Sequence, residues 1–237
     1  MDIPRDIRDG EEFSLEKLKK YLSENSISNE NLSLKQFPSG YSNLTYFLES
    51  SSKQFVLRRP PFGAKSLQGG HDMLREYNVL KNLKSQFGKV PDVFLYCEND
   101  DILGAPFYLM ERVEGYIIRP NLQQKDSPGS DIIQNVSKSL VSTLVELHNV
   151  NIEQANLKDL GNINGYVKRQ VEGWIKRYNH SKTDTIVNMD FISSWLYENQ
   201  PSEVGSSIVH NDFKYDNLVL DKDDFSKISA VLDWEMA

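Results

Sequence analysis

The sequence predicts an α+β chain: a small antiparallel sheet with one main helix in the amino-terminal part, then a mostly helical carboxy-terminal part. Three observations carry this. Strand-like runs separated by turn signals crowd between Leu32 and Arg59, the longer helical periodicities lie after Asp131, and the chain closes on a hairpin joining two short polar loops. At 237 residues the chain is long enough to bury a sizeable core as one large domain or two lobes.

The elements follow in order. Ser14 is an N-cap candidate and Leu15, Leu18 and Leu22 recur at helical spacing, which predicts an amphipathic helix from Ser14 to Asn25. Strands are predicted from Leu32 to Phe37, Leu44 to Glu49 and Gln54 to Arg59, with polar turns at 38–43 and 50–53. From His71 to Phe87, the residues Leu74, Tyr77, Leu80 and Leu83 make one apolar stripe and predict a second helix. Val93 to Cys97 and Pro106 to Val113 read as strands flanking a turn at 98–101. Between Pro120 and Ser130 the composition turns polar, with Pro128-Gly129 a turn signal, and the boundary between the two parts is drawn near Gly115. Asp131 to Val150 is strongly periodic, with Ile132, Val136, Leu140, Leu144 and Leu147 as its expected buried face. Two more amphipathic helices are expected at Tyr166 to Tyr178 and Asp190 to Asn199, their aromatic stripes (Trp174, Trp195) read as core.

Composition is that of an ordinary globular protein, and the net charge of −7 argues against a general nucleic-acid or anionic-membrane surface, since those partners need basic patches. A single cysteine, Cys97, excludes an internal disulfide and a cysteine-rich zinc site, so a reducing, cytoplasmic setting is the simplest expectation. The charged start lacks the apolar core of a signal peptide, and no run approaches the ~18 apolar residues of a membrane span. Oligomeric state is not readable.

The informative stretch is Ile208 to Glu235. The apolar pair Ile208-Val209 ends at His210 and a polar turn follows, the pattern of a buried strand delivering side chains to a site. Phosphoryl transfer needs a carboxylate at the nucleophile, oxygen ligands for Mg²⁺ and a cation near the moving phosphate. Asp212 can take the first role, the Asn217 amide and the Asp233 carboxylate the second, and Lys214 the third; Mg²⁺ prefers such hard oxygen ligands. The competing explanation is a turn capped by Asp212 and Asn217, with Asp233 merely ending a strand.

His-x-Asp-x-x-x-x-Asn followed by Asp-Trp-Glu resembles the aminoglycoside phosphotransferase and choline kinase branch of the protein-kinase-like fold. The matching protein-kinase signatures are His-Arg-Asp-x-x-x-x-Asn and Asp-Phe-Gly. Arg169-Gln170-Val171 with Trp174, and Leu57-Arg58-Arg59-Pro60-Pro61, look most like the kinase-like domains fused to acyl-CoA dehydrogenases. The resemblance implies a two-lobed fold, with residues 1–114 a nucleotide-covering lobe and 115–237 a helical lobe bearing the catalytic and metal loops. It implies ATP and Mg²⁺ as cofactors, in a locally basic site, and a small hydroxylated molecule as acceptor. Gly40, Ser42 and Asn43 fall at the phosphate-covering loop. Arg58 takes the place of the usual strand lysine, a departure that keeps a charged fork for phosphate while changing its bulk. Glu76 is the helix carboxylate expected to pair with it, and the backbone around Glu111 to Val113 is the adenine-binding hinge. Glu235 is assigned to a second metal or its waters, and His210 is read as a hydrogen-bonder orienting its loop. Family members continue past Asp-Trp-Glu with further helices, so the resemblance also implies a carboxy-terminal lobe cut short at Ala237, or an unusually open acceptor site. Two other functions stay open: a nucleotide-binding pseudo-enzyme, favoured by Arg58 and the single glycine of the loop, and a metal-dependent phosphoesterase using His210, Asp212, Asp233 and Glu235.

Overall fold

The computed structural model describes residues 3–38, 42–64, 71–119 and 129–237. The elements run α1 (Leu15–Glu24), β1 (Ser33–Gln36), β2 (Leu44–Glu49), β3 (Gln54–Arg59), α2 (Met73–Leu83), β4 (Val93–Cys97), α3 (Asp100–Leu103), β5 (Phe107–Glu111), α4 (Ser130–His148), α5 (Tyr166–Ser181), α6 (Met189–Glu198), β6 (Leu218–Leu220) and β7 (Ile228–Val231). Five strands form an antiparallel sheet in the order β1-β2-β3-β5-β4, and β6 and β7 form a separate hairpin.

Alternation along the strands sorts the sheet into two faces. Leu44, Tyr46 and Leu48 of β2, Phe55 and Leu57 of β3, and Phe107 and Leu109 of β5 share one face, where they form the main core with Leu18 and Leu22 of α1. Helix α1 starts where expected, the Ser14 side chain accepting from the Lys17 N–H. The opposite face presents Thr45, Val56, Arg58 and Met110 to a cleft. Against this side α2 buries Met73, Glu76, Val79, Leu80 and Leu83. The stripe expected on α2 is therefore rotated: Leu74 is exposed, because the helix turns its one buried carboxylate, Glu76, toward Arg58.

Three other expectations are corrected. Residues 98–101 are not a simple turn, since Asn99 caps the short helix α3 through the Asp101 N–H. Ile208-Val209 is not a strand: Ile208 is buried but pairs with no strand among the described residues, and Asn211 takes a left-handed φ of 63° that turns the chain at once. On α4 the buried positions are Val136, Thr143 and Leu147, while Ile132 is exposed. The polar stretch from Pro120 lies largely outside the described residues.

Contacts divide the chain into two compact units, Met1–Leu157 with Ile208–Ala237, and Lys158–Ser207. The smaller holds α5 and α6. Neither buries a residue, and Trp174, Phe191 and Trp195 are exposed, so the aromatic stripes are not the core that their spacing predicts. Two helices packed on each other cannot cover two apolar faces. Among the described residues no helix is long and apolar enough to cross a membrane.

Candidate active site

The site lies wholly within the larger unit, in a cleft of about 370 Å³ between the sheet and the β6–β7 hairpin. Its centre is Arg58. Strand pairing sets Arg58 opposite Tyr108, and its guanidinium meets three carboxylates: Glu76 Oε1 at 3.3 Å, Asp233 Oδ1 at 2.9 Å and Glu235 Oε2 at 3.4 Å. Burial works against the charge, but Glu76, Tyr108 and Asp233 outweigh it and hold the guanidinium above its ordinary pKa. Burial likewise pushes the Glu76 carboxyl up while Arg58 pulls it back. The buried Tyr108 hydroxyl lies beside the Glu76 carboxylate and helps to hold the carboxyl's pKa down against its burial.

The polar loop after Ile208 is built from side chains rather than a strand ladder. His210 donates from Nε2 to the Leu232 carbonyl at 2.9 Å and accepts the Asp212 N–H on Nδ1 at 3.2 Å, so both ring nitrogens are engaged. Burial lowers its pKa, consistent with a neutral ring. Asn217 donates from Nδ2 to the backbone oxygen and Oδ2 of Asp212, each at 2.9 Å, and Lys214 Nζ stands 2.7 Å from the same Oδ2. That hydrogen bond raises the Lys214 pKa. Among the described residues both side-chain partners of the Asp212 carboxylate thus sit on one oxygen, Oδ2, and none on Oδ1.

Asp233 follows β7 in a left-handed conformation, φ 66°, which an aspartate tolerates better than most residues. Among the described residues its Oδ1 is engaged by Arg58 at 2.9 Å. Glu235 does not point wholly into the cleft as a free ligand: its Oε2 accepts from Asn43 Nδ2 at 2.7 Å and from Arg58. Asn43 is buried, and its Oδ1 accepts from His71 Nδ1 at 2.8 Å.

Asp212, Lys214, Asn217, Asp233, Glu235, Ser42, Asn43, Arg58, Glu111 and Val113 all line this one cleft, while Glu76 stands behind Arg58. Gly40 lies outside the described residues. The Glu111 N–H is committed to the Asp92 carbonyl at 2.8 Å, and Arg112 and Val113 continue the same edge of the cleft. Sequence reasoning missed the apolar walls, Phe37 and Val56 on one side and Val219 and Leu232 on the other, and the pair Arg119–Asp216 at the mouth. Strand alternation could have pointed to Val56; no local pattern marks Arg119.

Among the described residues no group of three His, Cys, Asp or Glu side chains could hold a metal. The donors that fit a divalent ion are mixed, the Asn217 amide oxygen and the Asp233 carboxylate. They are hard oxygens suited to Mg²⁺ that shares its shell with phosphate and water. With His210 locked between Leu232 and Asp212, the phosphoesterase alternative loses its histidine.

Comparison with known proteins bears on the family and the fold. A family model described as the phosphotransferase enzyme family matches residues 33–237. The rat protein named acyl-CoA dehydrogenase family member 11 is 38% identical over 246 residues, covering 100% of this chain and 31% of that protein. The mouse acyl-CoA dehydrogenase family member 10 is 33% identical over 207 residues, covering 87% of this chain and 19% of that protein. The chain thus spans less than a third of the length of the curated relatives it matches. A Ralstonia eutropha structure provisionally named an aminoglycoside phosphotransferase superimposes with a TM-score of 0.80 at 29% identity, covering 95% of this chain and 65% of that one. A thermostable mutant of an aminoglycoside phosphotransferase, in ternary complex with AMP-PNP and hygromycin B, superimposes with a TM-score of 0.59 at 16% identity, covering 92% and 71%. At that lower identity the likeness is one of fold. The family match runs from the first strand of the sheet through the Asp-Trp-Glu turn, and the chain belongs to the phosphotransferase enzyme family, with the protein-kinase-like fold of the aminoglycoside phosphotransferases.

Proposed function

We propose that the chain binds ATP with Mg²⁺ and transfers the γ-phosphoryl group to a hydroxyl of a small molecule. The observation that carries this is the convergence of Asp212, Lys214, Asn217, Asp233 and Arg58 on one cleft that also has apolar side chains among its walls. The base would lie between Phe37 and Val56 on one side and Val219 and Leu232 on the other, its edge on the Val113 backbone. Ser42 and Asn43, with the loop that includes Gly40, would cover the phosphates. Arg58, held by Glu76, would lean on the α- and β-phosphates.

In the transfer the acceptor oxygen attacks the γ-phosphorus and the bond to the β-phosphate oxygen breaks, releasing ADP. The hydroxyl proton goes to Asp212, whose Oδ1 has no side-chain partner among the described residues because Asn217 and Lys214 both occupy Oδ2. Lys214 then neutralises charge on the moving phosphoryl group, the kind of preorganised electrostatic help that dominates such reactions. Asn217 and Asp233 would hold the Mg²⁺, with Glu235 Oε1 reaching its waters; the ion supplies charge neutralisation along the phosphate chain. Replacing Asp212 by Asn is expected to lower turnover by about 10²- to 10⁴-fold while sparing AMP-PNP binding. Unchanged turnover would remove Asp212 from its role.

The relatives' names favour a hydroxylated acyl thioester as acceptor over an aminoglycoside, since this domain is carried there beside an acyl-CoA dehydrogenase. An ATP-consumption assay offering a hydroxyacyl-CoA series against kanamycin and hygromycin B separates the two. A second reading, a nucleotide-binding module without transfer, draws on the Arg58–Asp233 ion pair, which engages a proposed metal ligand. Mg²⁺-dependent AMP-PNP binding with no consumption of ATP on any acceptor would favour it. We place the protein in a reducing compartment, the cytoplasm, on its single cysteine.

A further inference from the structure

Arg119 reaches a turn that the proposed chemistry uses but does not explain. Tyr215–Asn217 is one turn of 3-10 helix, with Lys214 immediately before it. So short a turn contributes little to its own direction. Three anchors set it instead. The Tyr215 hydroxyl meets the Ser137 hydroxyl of α4 at 2.8 Å. The Asn217 carbonyl accepts from the Leu232 N–H at 2.8 Å, while its amide donates to Asp212. Asp216, in the middle, is held by Arg119, whose Nη1 stands 2.6 Å from Oδ1 and 3.2 Å from the backbone carbonyl.

Charge adds a second reason for the pair. Asp216 stands two residues from Lys214, whose ammonium is half-exposed on a flexible stem and free to choose between neighbouring carboxylates. The Arg119 guanidinium, whose Nη1 engages both the side chain and the carbonyl of Asp216, removes that competitor.

We infer that Arg119 is a positioning residue: through Asp216 it fixes the turn that aims Asn217 into the cleft, and it keeps Asp216 from drawing Lys214 away from Asp212. Arg119 comes from the segment that leaves the hinge, so the same stretch that borders the base also sets the metal and phosphate groups. This inference rests on reading the cleft as a Mg²⁺–nucleotide site.

The test compares Arg119→Ala, Arg119→Lys and the exchanged pair Arg119→Asp with Asp216→Arg. Amide hydrogen exchange is followed across 212–217, and AMP-PNP binding is titrated with Mg²⁺. In Arg119→Ala, exchange across 212–217 should speed up. The Mg²⁺ needed for half-maximal AMP-PNP binding should rise by about 10- to 100-fold, as for other residues that orient a metal ligand, with metal-free AMP-PNP binding unchanged. The lysine variant and the exchanged pair should each recover part of the loss. Unchanged protection in Arg119→Ala would overturn the inference, and so would a loss of metal-free affinity, which would make Arg119 a direct phosphate contact. If the wild-type chain binds no AMP-PNP even with Mg²⁺, the functional reading has failed, and the exchange data alone still decide whether Arg119 holds the turn.

Discussion

Arg58 and Arg59 are neighbours in sequence and have opposite fates in the fold. The strand period of two sends Arg58 to the cleft face and Arg59 to the other side, where it hydrogen-bonds the Pro60 and Leu103 carbonyls and stacks over Phe62. The family resemblance put Arg58 rather than Arg59 at the place of the strand cation and Glu76 on the next helix as its expected partner, and Glu76 Oε1 stands 3.3 Å from the Arg58 guanidinium. The sequence could not show that Asp233 and Glu235 share the same guanidinium. Glu76 is buried with Arg58 as its ion-pair partner, so removing Arg58 leaves it uncompensated, whereas removing Glu76 still leaves Arg58 with Asp233 and Glu235. Arg58→Ala should lower stability by about 3–5 kcal/mol in denaturant unfolding, and Glu76→Ala by less. The double variant should lose clearly less than the sum. Strictly additive losses would mean that the two side chains do not depend on each other.

At the scale of elements, the segment leaving β5 packs closely against the β6–β7 hairpin. Tyr116 exchanges both backbone hydrogen bonds with Leu220, at 2.9 and 2.7 Å, and this brings Gly115 so close that an added Cβ would lie 2.1 Å from the Leu220 carbonyl oxygen. No side chain fits there without moving backbone. Gly115→Ala should destabilise the fold by about 1–3 kcal/mol and weaken AMP-PNP binding by displacing the hinge; an unaltered unfolding midpoint would contradict this close approach. Strands β2 and β3 and helix α1 were legible to the residue or nearly so, because alternation, turn residues and an N-cap are local signals. The rotation of α2 was not, since the decisive residue on its buried face is a glutamate, which a hydrophobic pattern skips. Helices α5 and α6 were legible as helices but not in their burial, because periodicity reports an apolar face and not what covers it.

At the scale of the whole molecule, the buried His210 ties the catalytic-loop segment to the end of the β6–β7 hairpin, packed against Trp234 at 4.6 Å between ring centroids. Its pKa is lowered in the fold, so protonation favours the unfolded chain. The stability that it contributes is complete above the ordinary value of 6.5 and is lost as the pH falls below that toward the folded value. The melting temperature should drop between about pH 7.5 and pH 5, and His210→Gln should flatten that slope; an equally steep slope in the variant would assign the dependence to other groups. The sequence by itself determined the α+β order of elements and nominated Asp212, Lys214, Asn217 and Asp233 as one set, because periodicity and motif spacing act over a few tens of residues at most. Only the tertiary structure decided which atoms meet: Arg119 with Asp216 across 97 positions, Arg58 with Asp233 across 175, and Asn43 with Glu235 across 192. Contacts at such separations depend on how sheet, hairpin and loop pack together, and no local pattern encodes that packing.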